Sequence, residues 1–168
     1  SIENTPFRTK FERDLAEFHG CSGIGCISDS DPQPLLVRSH LGLYAITTVG
    51  IINNADDLIA RYFSDHGHQF MAMSSGKVNS TELAAALINQ KDDLVSGILH
   101  AQEEIQGSLT LLILTDRGEI VAARDAMGVL RVLGATNEVG HCVSSNPSPT
   151  TSWAMPTLTS WVPGRLSG

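Results

Sequence analysis

Residues 109–114 form an almost unbroken apolar stretch, LTLLIL, and this stretch constrains the fold more than any other part of the sequence. A strand with apolar residues on both sides needs cover on both faces, so we expect a central strand in a layered structure. Asp116-Arg117-Gly118 is typical of a turn, and residues 119–123 then return as the partner strand of a hairpin. Further short strands are predicted at residues 132–133, 142–145 and 158–161.

The first two thirds of the chain carry the helical patterns. Asn54 is placed to cap a helix that runs to about residue 63, and residues 79–82 (NSTE) resemble a capping box ahead of a second helix over 83–88. A third amphipathic helix is predicted over residues 92–105. The apolar residues expected on its inward side are Leu94, Ile98, Leu99 and Ile105. At the front of the chain, one helix face is predicted from the spacing of Phe7, Phe11, Leu15 and Phe18.

Short strands are also predicted among these helices. Residues 22–27 read as a buried strand, residues 29–34 as a turn, and residues 35–37 and 43–46 as two strands joined near Gly42. An order of mainly helices followed by mainly strands favours α+β layers over a parallel βαβ array.

The composition limits the classes of function. The chain has 168 residues, a formal net charge of −7 and a pI near 5.2, so it offers no basic surface for nucleic acid. No apolar run approaches the roughly 18 residues of a membrane helix, and the first residues lack the regions of a signal peptide. We therefore expect one domain over residues 1–168, in the cytoplasm and without a membrane partner.

Three cysteines, Cys21, Cys26 and Cys142, are too few and too irregular for a disulfide framework, which favours a reducing compartment. Histidines lie close to them in sequence, but no spacing repeats that of a zinc site. We expect buried cysteines and surface histidines, with neither metal nor cofactor.

Six segments stand in a fixed order along the chain. They are residues 23–28 (GIGCIS) with 33–35 (QPL), 42–58 (GLYAITTVGIINNADDL), 79–83 (NSTEL), 106–114 (QGSLTLLIL), 122–128 (AARDAMG) and 162–166 (VPGRL). In this order they resemble the GIGHxRYST and AQP, HNGN and NAxEL, SDTE, GAYSLVVL, AARDPLG and EPGEL motifs of the glutaminase domain of amidophosphoribosyltransferases, a class II glutamine amidotransferase. The resemblance covers about residues 8–167.

The resemblance implies the N-terminal-nucleophile hydrolase fold, a four-layer αββα sandwich of two antiparallel sheets with helices on both outer faces. It also implies a chemistry in which an N-terminal cysteine attacks the glutamine amide and its own α-amine serves as the base. This chain begins Ser1-Ile2-Glu3 and enters the resemblance part-way through, so we expect the first strand to be missing.

Three further positions of the resemblance differ in this chain. Ser28 stands where the family has the arginine that binds the substrate carboxylate. Val49 replaces the asparagine of the oxyanion hole, although Gly50 beside it is kept. Ser80 replaces the aspartate that binds the substrate amine. The glycines and apolar residues of the scaffold are retained, so these changes predict a degenerate glutamine pocket.

Two residues are alternative nucleophiles. Ser1 could act from the chain terminus, but residues 2–4 do not follow the family motif. Cys21 could act if cleavage after Gly20 exposed it, but the following glycines would then serve two motifs at once. The simpler interpretation makes Cys21 a small residue at the start of a strand, and we expect no catalytic residue.

Three hypotheses about function follow. The first is a catalytically silent, amidotransferase-like binding or regulatory module. The second is an active or partner-dependent glutamine amidotransferase that supplies ammonia to a synthase subunit in purine-type biosynthesis. In the third, the chain is a piece of a longer gene product, and an exposed strand edge promotes a homo-dimer. For Arg124 and Asp125, a local ion pair is the simplest structural interpretation.

Overall fold

The computed structural model of the chain describes residues 12, 14, 17–28, 31–66, 73–74, 77–125, 128, 130–146 and 158–160. The helices are α1 (Ala55–His66), α2 (Ser80–Ile88) and α3 (Leu94–Glu104). The strands are β1 (Leu35–Ser39), β2 (Gly42–Ile52), β3 (Met73–Ser74), β4 (Lys77–Val78), β5 (Gly107–Thr115), β6 (Ile120–Ala123), β7 (Leu133–Thr136), β8 (His141–Ser144) and β9 (Leu158–Ser160).

The largest sheet is antiparallel, with the strand order β1-β2-β5-β6. In a smaller antiparallel sheet β7 lies between β8 and β9, and β3 pairs with β4 in a two-stranded hairpin. The α+β class and the hairpin that follows the apolar stretch are thus confirmed. The β3–β4 hairpin was not predicted, because its strands have only two residues each.

The core lies between one face of the large sheet and the helices. Side chains alternate across a strand, so Tyr44, Ile46 and Thr48 of β2 point to the same face, where they are buried. Leu111 and Ile113 of the neighbouring strand β5 add to this face. From the helices, the buried partners are Leu58, Leu83, Ala84, Leu87, Ile88, Ile98 and Ala101. This packing holds the C-terminal end of β2 against the N-terminal end of α2.

Two predictions about apolar residues are wrong. Residues 22–27, predicted as a buried strand, form no strand and are mostly exposed, with Ile27 at 94% relative exposure; among the residues that the structure describes, no strand pairs with them. Leu99 lies on the outer side of α3 rather than inward, since Ile98 and Ala101 already fill the buried side.

The predicted front helix falls largely outside the described residues. Phe7, Phe11 and Leu15 are not among them. Phe18 is described; it follows the helical positions instead of belonging to the predicted helix, and it is 73% exposed.

The helix ends confirm one predicted cap and correct another. The buried side chain of Asn79 accepts hydrogen bonds from Thr81 N and Glu82 N, so it caps α2 as expected. The side chain of Asn54 instead joins two other residues: it donates to Glu104 O at 2.9 Å and accepts from Gln106 N at 2.9 Å. Asn54 therefore ties the start of α1 to the end of α3.

Within the described part of the chain, no helix has both the length and the apolar character needed to cross a membrane.

Candidate functional site

The end of β2 meets the first turn of α2 through two buried threonines. Thr48 Oγ1 and Thr81 Oγ1 lie 2.7 Å apart, and both residues are buried. Because each hydroxyl can donate and accept, the pair satisfies groups that would otherwise be buried without a partner. This contact brings the stretch that resembles HNGN next to the stretch that resembles SDTE.

The loop before β1 also contacts this part of β2. Gln33, followed by a cis peptide bond to Pro34, accepts a hydrogen bond from Thr48 N through its side-chain Oε1 at 2.8 Å. Leu35, the first residue of β1, pairs with Ile46 of β2. The Gln33 side chain contacts β2 two residues further along, at Thr48.

The alternation of β2 fixes where the amide of Gly50 points. Thr48 N–H faces Gln33, on the β1 side, whereas Ile51 N–H faces β5 and donates to Ser108 Oγ at 3.2 Å. Neighbouring amides of a strand point to opposite sides, so Gly50 N–H points to the same side as Thr48 N–H. Gly50 therefore offers a backbone donor on this side of β2, whereas the Val49 side chain has no donor.

Glycines allow β2 and β5 to approach closely at this end. A Cβ built on Gly50 would lie 1.9 Å from Ser108 O, and one built on Gly107 would lie 1.9 Å from Ile51 O. These distances leave no room for a side chain at either position, which explains why both glycines of the motifs are present.

The N-terminal amides of α2 are already occupied. Asn79 accepts from Thr81 N and Glu82 N, and Asp31 Oδ2 accepts from Ser80 N at 3.3 Å. Helix N-termini bind anions through such amides, so an anionic ligand would have to displace Asp31. A carboxylate thus already stands next to the position where the family has its aspartate.

Two short series of hydrogen bonds include the predicted site residues or their neighbours. Ser28 Oγ accepts from Asp31 N at 3.1 Å, and Asp31 in turn contacts Ser80. Val49 and Gly50 follow Thr48, which joins α2 through Thr81. The side chains at the three changed positions are hydroxyls or an aliphatic group, and none of these can form an ion pair with an amino acid.

One of the two alternative nucleophiles, Cys21, lies elsewhere. Cys21 is exposed and precedes Ser22, whose Oγ lies 3.6 Å from a Cβ built on Gly118, in the turn between β5 and β6. This turn is at the opposite end of the large sheet from Gly50, about six residues along β5, or roughly 20 Å. Ser1 lies outside the described residues.

Cys26 is nearer to Ser28 in sequence and is half-buried. Burial raises the pKa of its thiol. The thiolate is the nucleophilic form, so this environment disfavours attack by Cys26. Among the described residues, no group of three or more histidines, cysteines and acids could hold a metal ion.

The segment after β6 is a local structural motif. The Arg124 guanidinium donates to the carbonyl oxygen of Gly128, whose positive φ of 64° suits glycine. Asp125 is buried; Thr110 Oγ1 lies 3.5 Å from its Oδ2, and its carbonyl accepts from Gly128 N at 3.0 Å. These contacts fold the segment back beside β5.

The residues that connect these motif stretches were not predictable from local sequence patterns. Asp31 was assigned only to a turn, and the pairing of Thr48 with Thr81 was not expected. Asp31 reaches Ser80 across 49 positions of the chain, and Thr48 reaches Thr81 across 33. The resemblance to the AQP motif was the signal that pointed to Gln33.

Comparisons with known proteins agree with the family resemblance of the sequence motifs. A family model described as a glutamine amidotransferase domain matches residues 23–149. Among curated proteins, a sequence search finds no significant match. A solved structure of glutamine phosphoribosylpyrophosphate amidotransferase from B. subtilis, complexed with ADP and GMP, is 25% identical with a TM-score of 0.67, and the match covers 80% of this chain and 29% of that one.

A second solved structure, described as the allosteric regulatory enzyme of purine biosynthesis, is 25% identical with a TM-score of 0.66. The match covers 80% of this chain and 28% of that one. The chain therefore spans less than a third of the length of either protein. Because the family model covers well over half of the 168 residues, the chain belongs to the class II glutamine amidotransferase domain family.

Proposed function

We propose that this domain is an amidotransferase-like binding or regulatory module that does not hydrolyse glutamine. The proposal rests on the residues at the end of β2. The Val49 side chain offers no hydrogen-bond donor there, so the backbone amide of Gly50 is the donor that remains. The scaffold contacts around it, Gln33 to Thr48 and Thr48 to Thr81, are intact.

The energetic consequences of the changed positions are large. One lost oxyanion-hole donor costs roughly 2.7–4 kcal/mol of transition-state stabilisation. A lost charge-assisted hydrogen bond, as expected from Ser28 in place of arginine, costs roughly 1.5–3 kcal/mol. If the two losses add, turnover falls by roughly three to five orders of magnitude.

The charges near Ser28 and Ser80 support the same conclusion. A free amino acid carries an ammonium and a carboxylate, and the family meets them with an aspartate and an arginine. Here the Asp31 carboxylate accepts a hydrogen bond from Ser80 N, and the backbone amide of Asp31 donates to Ser28 Oγ. A substrate carboxylate at Ser28 would therefore lie near the Asp31 carboxylate, and like charges at short range repel.

We expect the β8-β7-β9 sheet to lie face to face with the large sheet, as in an αββα sandwich, with α2 and α3 as one outer layer. The buried residues Leu133 and Ala135 of β7 support this arrangement, since they need cover from another layer. The free cysteines among the described residues fit a cytoplasmic location.

One specific observation favours a second function. Gly50 N–H still points to the open side of β2, where the family stabilises the developing oxyanion. An amidotransferase that acts only with a synthase subunit, supplying ammonia for purine-type biosynthesis, would use this donor. Co-purification of such a subunit, together with glutamine-dependent amination by the complex, would favour this second function.

The direct test is release of ammonia from L-glutamine by the purified protein, with calorimetry of glutamine binding alongside. We expect neither turnover nor binding at millimolar glutamine. A matched control is the triple variant Ser28→Arg, Val49→Asn, Ser80→Asp, in which glutamine binding should rise above the wild-type level. Turnover by the wild type that a single change such as Cys26→Ala abolishes would refute the proposal.

A further inference from the structure

We draw no further inference here: the strongest candidate, the surface patch at the C-terminal end of β2 where Val49 and Ile51 are exposed beside an edge that β1 leaves after Ile46, carries nothing because the part of the chain that the structure describes does not show what covers it.

Discussion

The side-chain oxygens of Thr48 and Thr81 lie 2.7 Å apart in the interior and join the end of β2 to the first turn of α2. This hydrogen bond positions the two motif stretches of the pocket relative to each other. Its partners come from two different elements, so its contribution can be measured by changing either one.

Thr81→Val should destabilise the protein by about 1–3 kcal/mol, because it leaves the buried Thr48 hydroxyl without this partner. The double variant Thr48→Val, Thr81→Val should recover part of the loss, since no hydroxyl then remains unpaired. Urea unfolding of both single variants and the double variant measures the coupling. Thr136→Val, at an exposed position, is the control and should change the free energy of unfolding by less than about 0.5 kcal/mol. Additive single losses would contradict the coupling.

Gly50→Ala should destabilise the protein by about 2–4 kcal/mol. Its Cβ would lie 1.9 Å from the backbone oxygen of Ser108, so β2 and β5 would have to separate. Gly140→Ala is the matched control, because a Cβ there meets no atom within 4 Å. Denaturant unfolding compares the two variants, and equal stabilities would show that the strands are not closely packed at Gly50.

Asn79→Ala should cost about 2 kcal/mol, at the upper end for a helix cap, because Asn79 is fully buried and accepts from two amides. Its neighbour Ser80 is exposed, so Ser80→Ala provides a control at the same helix end and should be nearly neutral. Thermal unfolding followed by circular dichroism measures both. A similar loss in the two variants would indicate that the cap contributes little.

Features that depend on neighbouring residues were predictable from the sequence. The cap at Asn79, the hairpin after residues 109–114 and the approximate bounds of the three helices follow from local patterns, and the structure confirms them. The order of the six motifs also predicted the family, although no single motif would have done so.

Features that depend on distant contacts were not predictable from the same patterns. Residues 22–27 are apolar enough for a buried strand, but a strand also needs a neighbour, and no strand in the described part of the chain pairs with them. The side chain of Asn54 bonds to Glu104 and Gln106, some 50 residues away, instead of capping its own helix. Asp31 enters the pocket only because the chain folds back onto α2.

The ionisation of Tyr44 should limit stability at alkaline pH. Its ring is buried in the core and its hydroxyl donates to Asn89 Oδ1 at 3.0 Å. Burial raises the pKa of Tyr44 to about 12, above its ordinary value of 10. A raised pKa in the folded state means that the stabilising contribution is complete below pH 10 and is lost as the pH rises from 10 towards 12.

The test uses the fact that the chain has two tyrosines. In the variant Tyr62→Phe, absorbance near 295 nm reports Tyr44 alone, and its ionisation should be centred well above pH 10 or coincide with unfolding. Tyr44→Phe should lose less stability between pH 9 and about 11.5 than the Tyr62→Phe variant does. Ionisation of Tyr44 near pH 10 in a protein that remains folded would show that water reaches the ring, and that the contact between β2 and the end of α2 is looser than the structure shows.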